Sequence, residues 1–495
     1  MGKLSPFKDA NTFRRHLEKR FNEVRKEQAD HFQKTAETVS ISFDGWSARN
    51  HKHILGAIAY WIDSDWKRHS MNVEFANLVG KSGEKMAELL YSSFHHTIET
   101  ETFFEDDKGQ VYEHKMTAIG LDIAHKVFAV CGDNATPNDT FCDHFYRLLK
   151  VEYDDDPTTG IPHYWFKGRE SRIRCLAHIA LIASSVFEHL GGGSTKEAEE
   201  LISQAFESGG VFPDTCRVLS VYMKIRMIAI WVGSSDERVA AWAVLSTRRI
   251  PADVETRWNS LYLMILEARK QKVTIQKYAA RFPELAYLVP TNEDWRLCEQ
   301  VKRTIEPFYN YTLDVSTSAP HLNDYLITIW GLIDTLAGIS SGEAPFHDIV
   351  PELQTAFKMT EMALNKWVLE INDIDMIFAS QALDPRFKFT LIRQQYGDEA
   401  DAIISRVKNY CRQTWPLDAA NSSSSNQASN QPPPPPPPPP PLQSLQSIHT
   451  IAALQRAQEL NLAQEQAATM DEWDRWFETL CETNFDANIL DFYLY

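Results

Sequence analysis

The chain has 495 residues, of which 43% are hydrophobic and 24% charged, and its formal net charge is −17 at pH 7. This composition is ordinary for a soluble globular protein of about two to four domains, and the excess of acidic residues argues against indiscriminate binding to nucleic acid. No apolar run reaches the roughly 18 residues of a membrane span, and the N-terminus lacks the apolar segment of a secretory signal, so we expect neither a membrane protein nor a secreted one.

Residues 1–37 predict a helical leader, and residues 38–180 predict the first part of an α/β core. The leader has apolar residues at helical spacing among many charges, namely Phe13, Leu17, Phe21 and Val24. The core region alternates between strand-like and helical segments, at 39–43, 53–62, 71–79, 84–98, 126–130, 137–150 and 171–175. Three strands, a helix, a strand, a helix and a strand in this order predict a mixed sheet with helices packed on it.

The remainder of the chain predicts helices, apart from one low-complexity stretch. Residues 181–415 carry leucine- and aromatic-rich patterns and predict a large all-α domain. Residues 416–445 predict a linker, since they are rich in Ser and Asn and contain an unbroken proline run, Pro432 to Pro441. Such a run forms a stiff rod that cannot enter a core; we prefer a plain linker to the alternative, a docking site for a proline-binding domain. Residues 446–495 predict a C-terminal helical remainder of the core.

Two aspartates stand where predicted strands end. Asp44 closes the first strand, and Asp133 closes the fourth. A nuclease or strand-transfer site with two divalent metal ions needs carboxylates from different strands at one point, with the ions about 4 Å apart. Mg²⁺ and Mn²⁺ prefer such oxygen ligands. For either residue alone, a turn or a helix cap would be the better interpretation.

The sequence segments around these aspartates resemble motifs of the hAT superfamily of DNA transposases. Six segments are similar to motifs of that family and occur in the same order: Ile41–Ser47, Val127–Ala135, Arg174–His178, Asp253–Ser260, Ile305–Phe308 and Leu383–Lys388. Any one of them is a weak signal, whereas six in order are specific. The resemblance covers about residues 40–390 of the chain.

The resemblance implies a fold, an activity and a partner. The fold is an α/β, RNase H-like mixed sheet that is interrupted after its fifth strand by the all-α insertion domain at 181–415. The activity is metal-dependent DNA cleavage with strand transfer, and Asp44 and Asp133 are the implied catalytic residues and ligands of Mg²⁺ or Mn²⁺. The implied partner is DNA, and the implied location is the nucleus.

Cys175 and His178 form a Cys-x-x-His pair, which can be half of a zinc site. The sequence offers no second pair at suitable spacing, and the seven cysteines of the chain are widely spaced, so we expect reduced thiols and no structural zinc. A buried cysteine beside a hydrogen-bonded histidine is the preferred interpretation. The resemblance implies that His178 is catalytic and positions the scissile phosphate, where an imidazolium would offset the phosphate charge.

Arg257 and Trp258 belong to a further motif that the resemblance links to DNA. Arg257 would contact a phosphate, and Trp258 would stack on an extruded base; a tryptophan in the core is an equal alternative. Arg248 and Arg249 begin a basic stretch that continues to Arg281 and that we also assign to nucleic-acid binding. From charge alone, a solvated helix face is at least as good an interpretation of that stretch.

Two features of the family have no counterpart in this sequence. Residues 1–40 contain no cysteine and hence no BED-type zinc finger, and the third catalytic acid, a glutamate before the dimerisation region, is not identifiable after Asn488. We therefore expect a transposase-derived protein that does not catalyse transposition as it stands and that self-associates weakly. One alternative is a non-enzymatic DNA- or protein-binding module descended from a transposase. Another is an RNase H-like nuclease that uses a substitute acid, such as Glu472 or Glu478.

Overall fold

The computed structural model describes residues 10–47, 52–78, 80–95, 97–105, 111–154, 163–176, 193–251, 258–317, 322–371, 374–416, 472–479 and 481, with Val186 and Leu190. The chain forms two compact units, one made of Met1–Cys175 and Asp373–Tyr495 and the other of Leu176–Asn372. The second unit is therefore inserted into the chain of the first. None of the described helices is long and apolar enough to cross a membrane.

The first unit contains a mixed sheet of five strands in the order β3-β2-β1-β6-β7. Strands β1, β2 and β3 are antiparallel neighbours, whereas β6 pairs in parallel with β1, and β7 in parallel with β6. The strands are β1 Val39–Ser47, β2 His53–Ile62, β3 Arg68–Leu78, β6 Val127–Gly132 and β7 Arg172–Arg174. All five strands that the sequence predicts are present, and the fold class is mixed α/β.

A separate two-stranded hairpin was not predicted. It consists of β4, Thr97–Glu105, and β5, Val111–Ile119, which pair antiparallel along their whole length. Thr, Glu and Phe side chains dominate β4, so the alternation of apolar and polar residues that marks a half-buried strand is weak there. The pairing of the two segments, which a sequence pattern does not contain, makes the hairpin.

Seven helices of the first unit are described: α1 Ala10–Thr35, α2 Gly83–Phe94, α3 Pro137–Tyr153, and the helices Asp375–Ala382, Thr390–Tyr396, Ala400–Thr414 and Glu472–Glu478. Val39, Ile41 and Phe43 are buried on one face of β1, and they belong to the same core as residues of α2 and α3. The alternate residues of β1, Ser42 and Asp44, lie on the opposite face because strand side chains alternate. The helices at 375–414, which the predicted domain boundary assigned to the insertion, lie in the first unit.

Helix α1 packs on the first unit rather than standing apart as a leader. Phe32 is fully buried, and its ring lies 4.7 Å from that of Trp61. The buried guanidinium of Arg25 donates hydrogen bonds to the main-chain oxygens of Val73 and Ser93, each at 2.6 Å. A buried charge is tolerated only when its donors are satisfied, so these bonds hold α1 in one register.

The second unit is helical throughout its described residues. Its α-helices are Thr195–Glu207, Val221–Gly233, Asp236–Ala243, Trp258–Lys270, Lys272–Arg281, Asn292–Thr317, Asp324–Ser341 and Pro351–Ile371. Large aromatic side chains fill its core, among them Trp231, Trp242 and Tyr262. The motif at Ile305–Phe308 lies within a helix, where Ile305 and Phe308 are buried, so this motif serves packing.

The motif at Leu383–Lys388 is also structural. Asp384 is buried and accepts hydrogen bonds from the Arg386 guanidinium, with 2.9 Å from Nε to Oδ1 and 2.7 Å from Nη2 to Oδ2. Lys388, also buried, donates through Nζ to the main-chain oxygens of Trp476 and Thr479. The motif thus attaches the helix Glu472–Glu478 to the first unit.

Candidate active site at the carboxyl ends of β1 and β6

Asp44, three residues before the end of β1, and Asp133, directly after β6, lie at equivalent positions of neighbouring parallel strands. Ser42 of β1 is the register partner of Cys131 of β6, and each aspartate is two residues further along its strand. Both aspartates line one cleft with a volume of about 160 Å³. Because positions two apart face the same side of a sheet, both carboxylates project on the face that carries Ser42 and Cys131.

The turn that carries Asp133 is fixed by several hydrogen bonds. The amide of Asn138 donates through Nδ2 to Asp133 Oδ1 at 2.6 Å and to the main-chain oxygen of Asp133 at 2.9 Å. The main-chain N–H of Ala135 donates to the same carboxylate oxygen at 3.0 Å. These donors engage Oδ1 and the main-chain oxygen, so they set the direction of the carboxylate.

Arg172 supports the same turn from β7. Its buried guanidinium donates through Nη2 to the main-chain oxygen of Asp133 at 2.9 Å and forms an ion pair with Asp139. Arg174 Nη2 lies 4.0 Å from the same carboxylate of Asp139. The Asp139 carboxylate thus lies between the two arginines of β7 and ties this strand to the turn.

The opposite wall of the cleft contains residues that sequence reasoning did not single out. Trp46, His53 and Lys81 line the cleft together with the two aspartates. His53 Nδ1 lies 3.0 Å from the hydroxyl of Ser47, and Trp46 is 41% exposed. Lys81 precedes α2, whose N-cap is Ser82, and the cap is the one sequence signal that could have placed it at a helix entrance.

Close packing of α2 on α3 brings this wall to the aspartates. A Cβ atom built on Gly83 would lie 1.9 Å from the main-chain oxygen of Pro137 and 2.5 Å from the main-chain nitrogen of Phe141. Only glycine permits such an approach. The N-terminal ends of both helices therefore border the cleft.

Two carboxylates in a solvent-open cleft suit a hard divalent cation that keeps part of its water shell. Among the described residues there is no group of three or more His, Cys, Asp or Glu side chains arranged to hold a metal ion. The cleft brings together two carboxylates, those of Asp44 and Asp133.

Comparison with known proteins places the chain in a family. Residues 220–304 match the family described as the ZBED1 RNase-like helical domain. The chain is 22% identical over 404 residues to the putative AC transposase of Zea mays, covering 78% of this chain and 41% of that protein. It is 22% identical over 409 residues to the zinc finger BED domain-containing protein RICESLEEPER 2 of Oryza sativa subsp. japonica, covering 77% and 46%. The chain is an hAT-family, transposase-derived protein.

The hAT-family chain is also similar to a protein named as a regulator. It is 25% identical over 317 residues to the putative transcriptional regulator tpeD of Talaromyces stipitatus, covering 62% of this chain and 33% of that protein. The chain spans less than half the length of each of these three relatives.

The other predicted site residues of the hAT-family chain lie in the second unit or outside the described residues. His178 and Arg257 are outside the described residues. Trp258 begins the helix Trp258–Lys270, but its side chain is not described. Arg248 and Arg249 are exposed in the second unit, and the main-chain oxygen of Arg248 accepts hydrogen bonds from Trp242 and Gln271 at 2.8 Å each.

The basic stretch of the hAT-family chain is partly neutralised. Arg269 forms an ion pair with Glu299, and Lys270 Nζ lies 3.9 Å from Glu267. Lys277 and Arg281 are exposed. The stretch is therefore a smaller cationic surface than its sequence suggests, with Arg248 and Arg249 in its exposed part.

Cys131 and Cys175 of the hAT-family chain are neighbours across β6 and β7. The main-chain N–H of Cys175 donates to the main-chain oxygen of Gly132 at 2.9 Å. The nearby Cys175 thiol, together with burial, raises the pKa of the Cys131 thiol well above its usual value. In the sequence, Cys175 has only His178 at motif spacing. The pairing of β6 with β7 places Cys131 on the adjacent strand.

Proposed function

We propose that this hAT-family chain is a nuclear DNA-binding protein whose RNase H-like core holds a divalent cation at Asp44 and Asp133 against a phosphodiester. The observation that carries the proposal is the convergence of these two carboxylates in one cleft from neighbouring parallel strands. A turn or a helix cap needs only one aspartate, and it explains neither the shared cleft nor the shared register.

The sheet supports an RNase H-like assignment. Three antiparallel strands are followed by two strands that extend the sheet in parallel from β1. The helical unit Leu176–Asn372 interrupts the chain directly after the last of these strands. This is the order of elements that the family resemblance implies.

Mg²⁺ or Mn²⁺, when bound, would activate the attacking water or hydroxyl and offset charge on the phosphodiester. Asp44 and Asp133 would be its protein ligands. Asn138 and Arg172 would keep the Asp133 carboxylate in place, since such supporting bonds tune metal affinity. His178 would position the scissile phosphate.

DNA is the proposed partner because two of the relatives are named as transposases, and the helical unit exposes Arg248 and Arg249. Both guanidinium groups would contact phosphates, as would Arg257, while Trp258 would stack on a base. A chain with a net charge of −17 needs such a local cationic surface to bind DNA.

The metal site is tested by titrating the purified chain with Mn²⁺ and measuring free Mn²⁺ by electron paramagnetic resonance. We expect Asp44→Asn and Asp133→Asn each to weaken Mn²⁺ binding at least about 10-fold. Asp65→Asn is the matched control, because Asp65 is exposed in the turn between β2 and β3. Equal Mn²⁺ binding by all four proteins would refute the site.

DNA binding is tested by fluorescence anisotropy at several salt concentrations. Each phosphate contact contributes roughly −0.9 to the slope of log K against log salt, so the double variant Arg248→Ala/Arg249→Ala should flatten this slope by about 2. Glu293→Ala/Arg296→Ala is the control, because this exposed pair is internally neutral. An unchanged slope in the double arginine variant would contradict the proposed surface.

A second candidate is a non-enzymatic DNA-binding module, which the name of the Talaromyces relative favours. The two candidates differ in the consequence of metal binding. Nicking of supercoiled DNA that requires Mn²⁺ and is lost in Asp133→Asn supports an enzyme. DNA binding without such nicking supports the module.

A further inference from the structure

Two aromatic side chains are exposed beside the carboxylate cleft, on the face of the sheet opposite the core. Trp46 of β1 is 41% exposed, and Phe75 of β3 is 71% exposed. Their ring centroids are 5.7 Å apart, with an angle of 52° between the ring planes. Single exposed apolar residues are common, whereas exposed aromatic rings in contact form a patch that indicates a binding surface.

Gly56 gives this aromatic pair its room. Strand β2 lies between β1 and β3, and a Cβ atom built on Gly56 would be 3.3 Å from Cζ3 of Trp46 and 3.5 Å from Cη2. The indole therefore lies over Gly56 and reaches across β2 toward Phe75. A larger side chain at position 56 would displace the indole from this place.

The aromatic pair is continuous with the carboxylate cleft. Asp44, Gly56 and Phe75 are register partners across β1, β2 and β3, so they form one row on the same face of the sheet. Trp46 is two residues beyond Asp44, about 7 Å along β1, and it lines the cleft together with Asp133. A nucleotide that adjoins a phosphodiester at the carboxylates therefore meets Trp46 first.

We propose that Trp46 and Phe75 bind unpaired bases of the DNA strand whose phosphodiester lies at Asp44 and Asp133, so that the cleft takes single-stranded rather than fully paired DNA. The inference rests on the proposed function, because it needs DNA at the carboxylates. Every base has an apolar face that stacks on an aromatic ring, whatever the sequence. In a duplex the neighbouring bases cover these faces, so only an unpaired strand offers them to a protein.

The charge at the cleft favours the same occupant. Lys81 is exposed and lines the cleft together with Trp46 and the two aspartates. Its ammonium group offsets charge on the DNA backbone while bases stack on the aromatic pair, and proteins that bind single strands combine cationic groups and aromatic rings in this way. The apolar surface of a protein partner would leave the ammonium group without a counter-charge.

The test measures the fluorescence anisotropy of a labelled oligothymidylate and of a labelled duplex of the same length with the full chain, without divalent metal so that no cleavage occurs. Trp46→Ala and Phe75→Ala should each weaken oligothymidylate binding at least about 5-fold, the effect of one lost stacked base, and leave duplex binding unchanged. Trp46→Phe keeps an aromatic face and should retain most of the affinity. Trp66→Ala is the matched control, because Trp66 is 38% exposed in the turn at the other end of β2 and β3.

A second measurement needs no variant that could misfold. An oligothymidylate with 5-iodouracil in place of one thymine forms a covalent bond to an aromatic ring stacked on it under ultraviolet light, with loss of hydrogen iodide. Peptide mapping of the cross-linked wild-type chain should identify Trp46 or Phe75. Asp44→Asn should give the same cross-link, because the aromatic pair and not the carboxylate holds the base.

The outcomes separate this inference from the proposed function. A chain that binds neither probe refutes both. Duplex binding that depends on Arg248 and Arg249, together with oligothymidylate binding that both alanine variants leave unchanged, supports the proposed function and overturns the aromatic site, as does a cross-link confined to other residues. If the two alanine variants instead dissociate a dimer in analytical ultracentrifugation and leave DNA binding unchanged, this face is an interface between copies of the chain and the proposal is wrong.

Discussion

Asp44 and Asp133 stand at equivalent positions of two parallel strands, each two residues beyond the paired residues Ser42 and Cys131. Parallel pairing has a specific consequence here. Both strands run toward the same edge of the sheet, where α3, which follows β6, and the start of α2 border the cleft. Asp44 and Asp133 are far apart in sequence, and the parallel pairing of β1 with β6 makes them neighbours.

The first prediction concerns Asn138, which is 5% exposed and donates two hydrogen bonds to Asp133. Asn138→Ala should lower the affinity for Mn²⁺ by about 10-fold, because supporting bonds orient metal-binding carboxylates. It should also lower the free energy of unfolding by about 1–3 kcal/mol, since the main-chain oxygen of Asp133 loses a partner. Mn²⁺ titration and urea unfolding measure the two effects.

Asn77→Ala is the control for this variant, because Asn77 is exposed on β3. It should change neither quantity. If Asn138→Ala reduced stability but left Mn²⁺ affinity unchanged, Asn138 would only hold the turn before α3 in place, and the direction of the Asp133 carboxylate would have another cause.

Part of this site follows from the sequence. The alternation of apolar and polar residues at Val39–Phe43 predicts the first strand and places Asp44 on its polar face. The predicted end of this strand at Asp44 is wrong, because β1 stays paired with β2 as far as Ser47. The position of Asp133 follows from the apolar strand before it. The convergence of the two aspartates requires β1 and β6 to be adjacent, which strand order determines and a local pattern does not.

The residues that were missed are those that tertiary packing brings in. Lys81 reaches the cleft because Gly83 lets α2 approach α3, and His53 reaches it because β2 pairs with β1. Cys131 and Cys175 lie on adjacent strands because β6 pairs with β7. Helix α1 was predicted as a separate leader, but its residue Phe32 belongs to the core. The spacing of apolar residues in this helix does not differ from that of an exposed amphipathic helix, so the sequence pattern could not show this packing.

The second prediction compares two arginines of the same region. Arg172 is 3% exposed and pairs with Asp139, which is 24% exposed, whereas Arg169 is 61% exposed and pairs with Asp143. Arg172→Met should cost about 2–3 kcal/mol of stability, less than the 3–5 kcal/mol of a fully buried pair, because solvent partly screens Asp139. Arg169→Met should cost less than about 1 kcal/mol. Equal midpoints in urea for the two variants would show that the Arg172 contacts do not fix the turn.

The third prediction concerns the approach of α2 to α3. Gly83→Ala should lower stability by about 3 kcal/mol, at the upper end for overpacking, because the added carbon meets main-chain atoms that cannot rotate away. Gly338→Ala, in the helix Asp324–Ser341, is the opposite case, since nothing lies within 4 Å of its Cβ position. That variant should stabilise the chain by about 0.4–1 kcal/mol. A stabilising Gly83→Ala, measured by thermal unfolding, would contradict the close packing.

The last prediction concerns residues 417–471, which separate two anchored pieces of the first unit. The indole Nε1 of Trp473 donates to the main-chain oxygen of Trp415 at 3.2 Å, and Arg412 Nη2 lies 2.8 Å from Asp474. The segment therefore leaves and re-enters the unit at neighbouring points. Replacing residues 421–468 by a short Gly/Ser linker should leave the fold intact and raise stability by about 1 kcal/mol, because a shorter loop costs less entropy to close.

The variant for comparison with the shortened chain is Lys388→Met in the full-length chain. It removes the donor to the main-chain oxygens of Trp476 and Thr479, so the helix Glu472–Glu478 should detach and tryptophan emission should shift to the red. The shortened chain should keep the emission maximum of the wild type. A shortened chain that also shows the red shift would mean that residues 421–468, and not Lys388 and its neighbours, hold this helix in place. In that case the proline run would be part of the fold and not a linker.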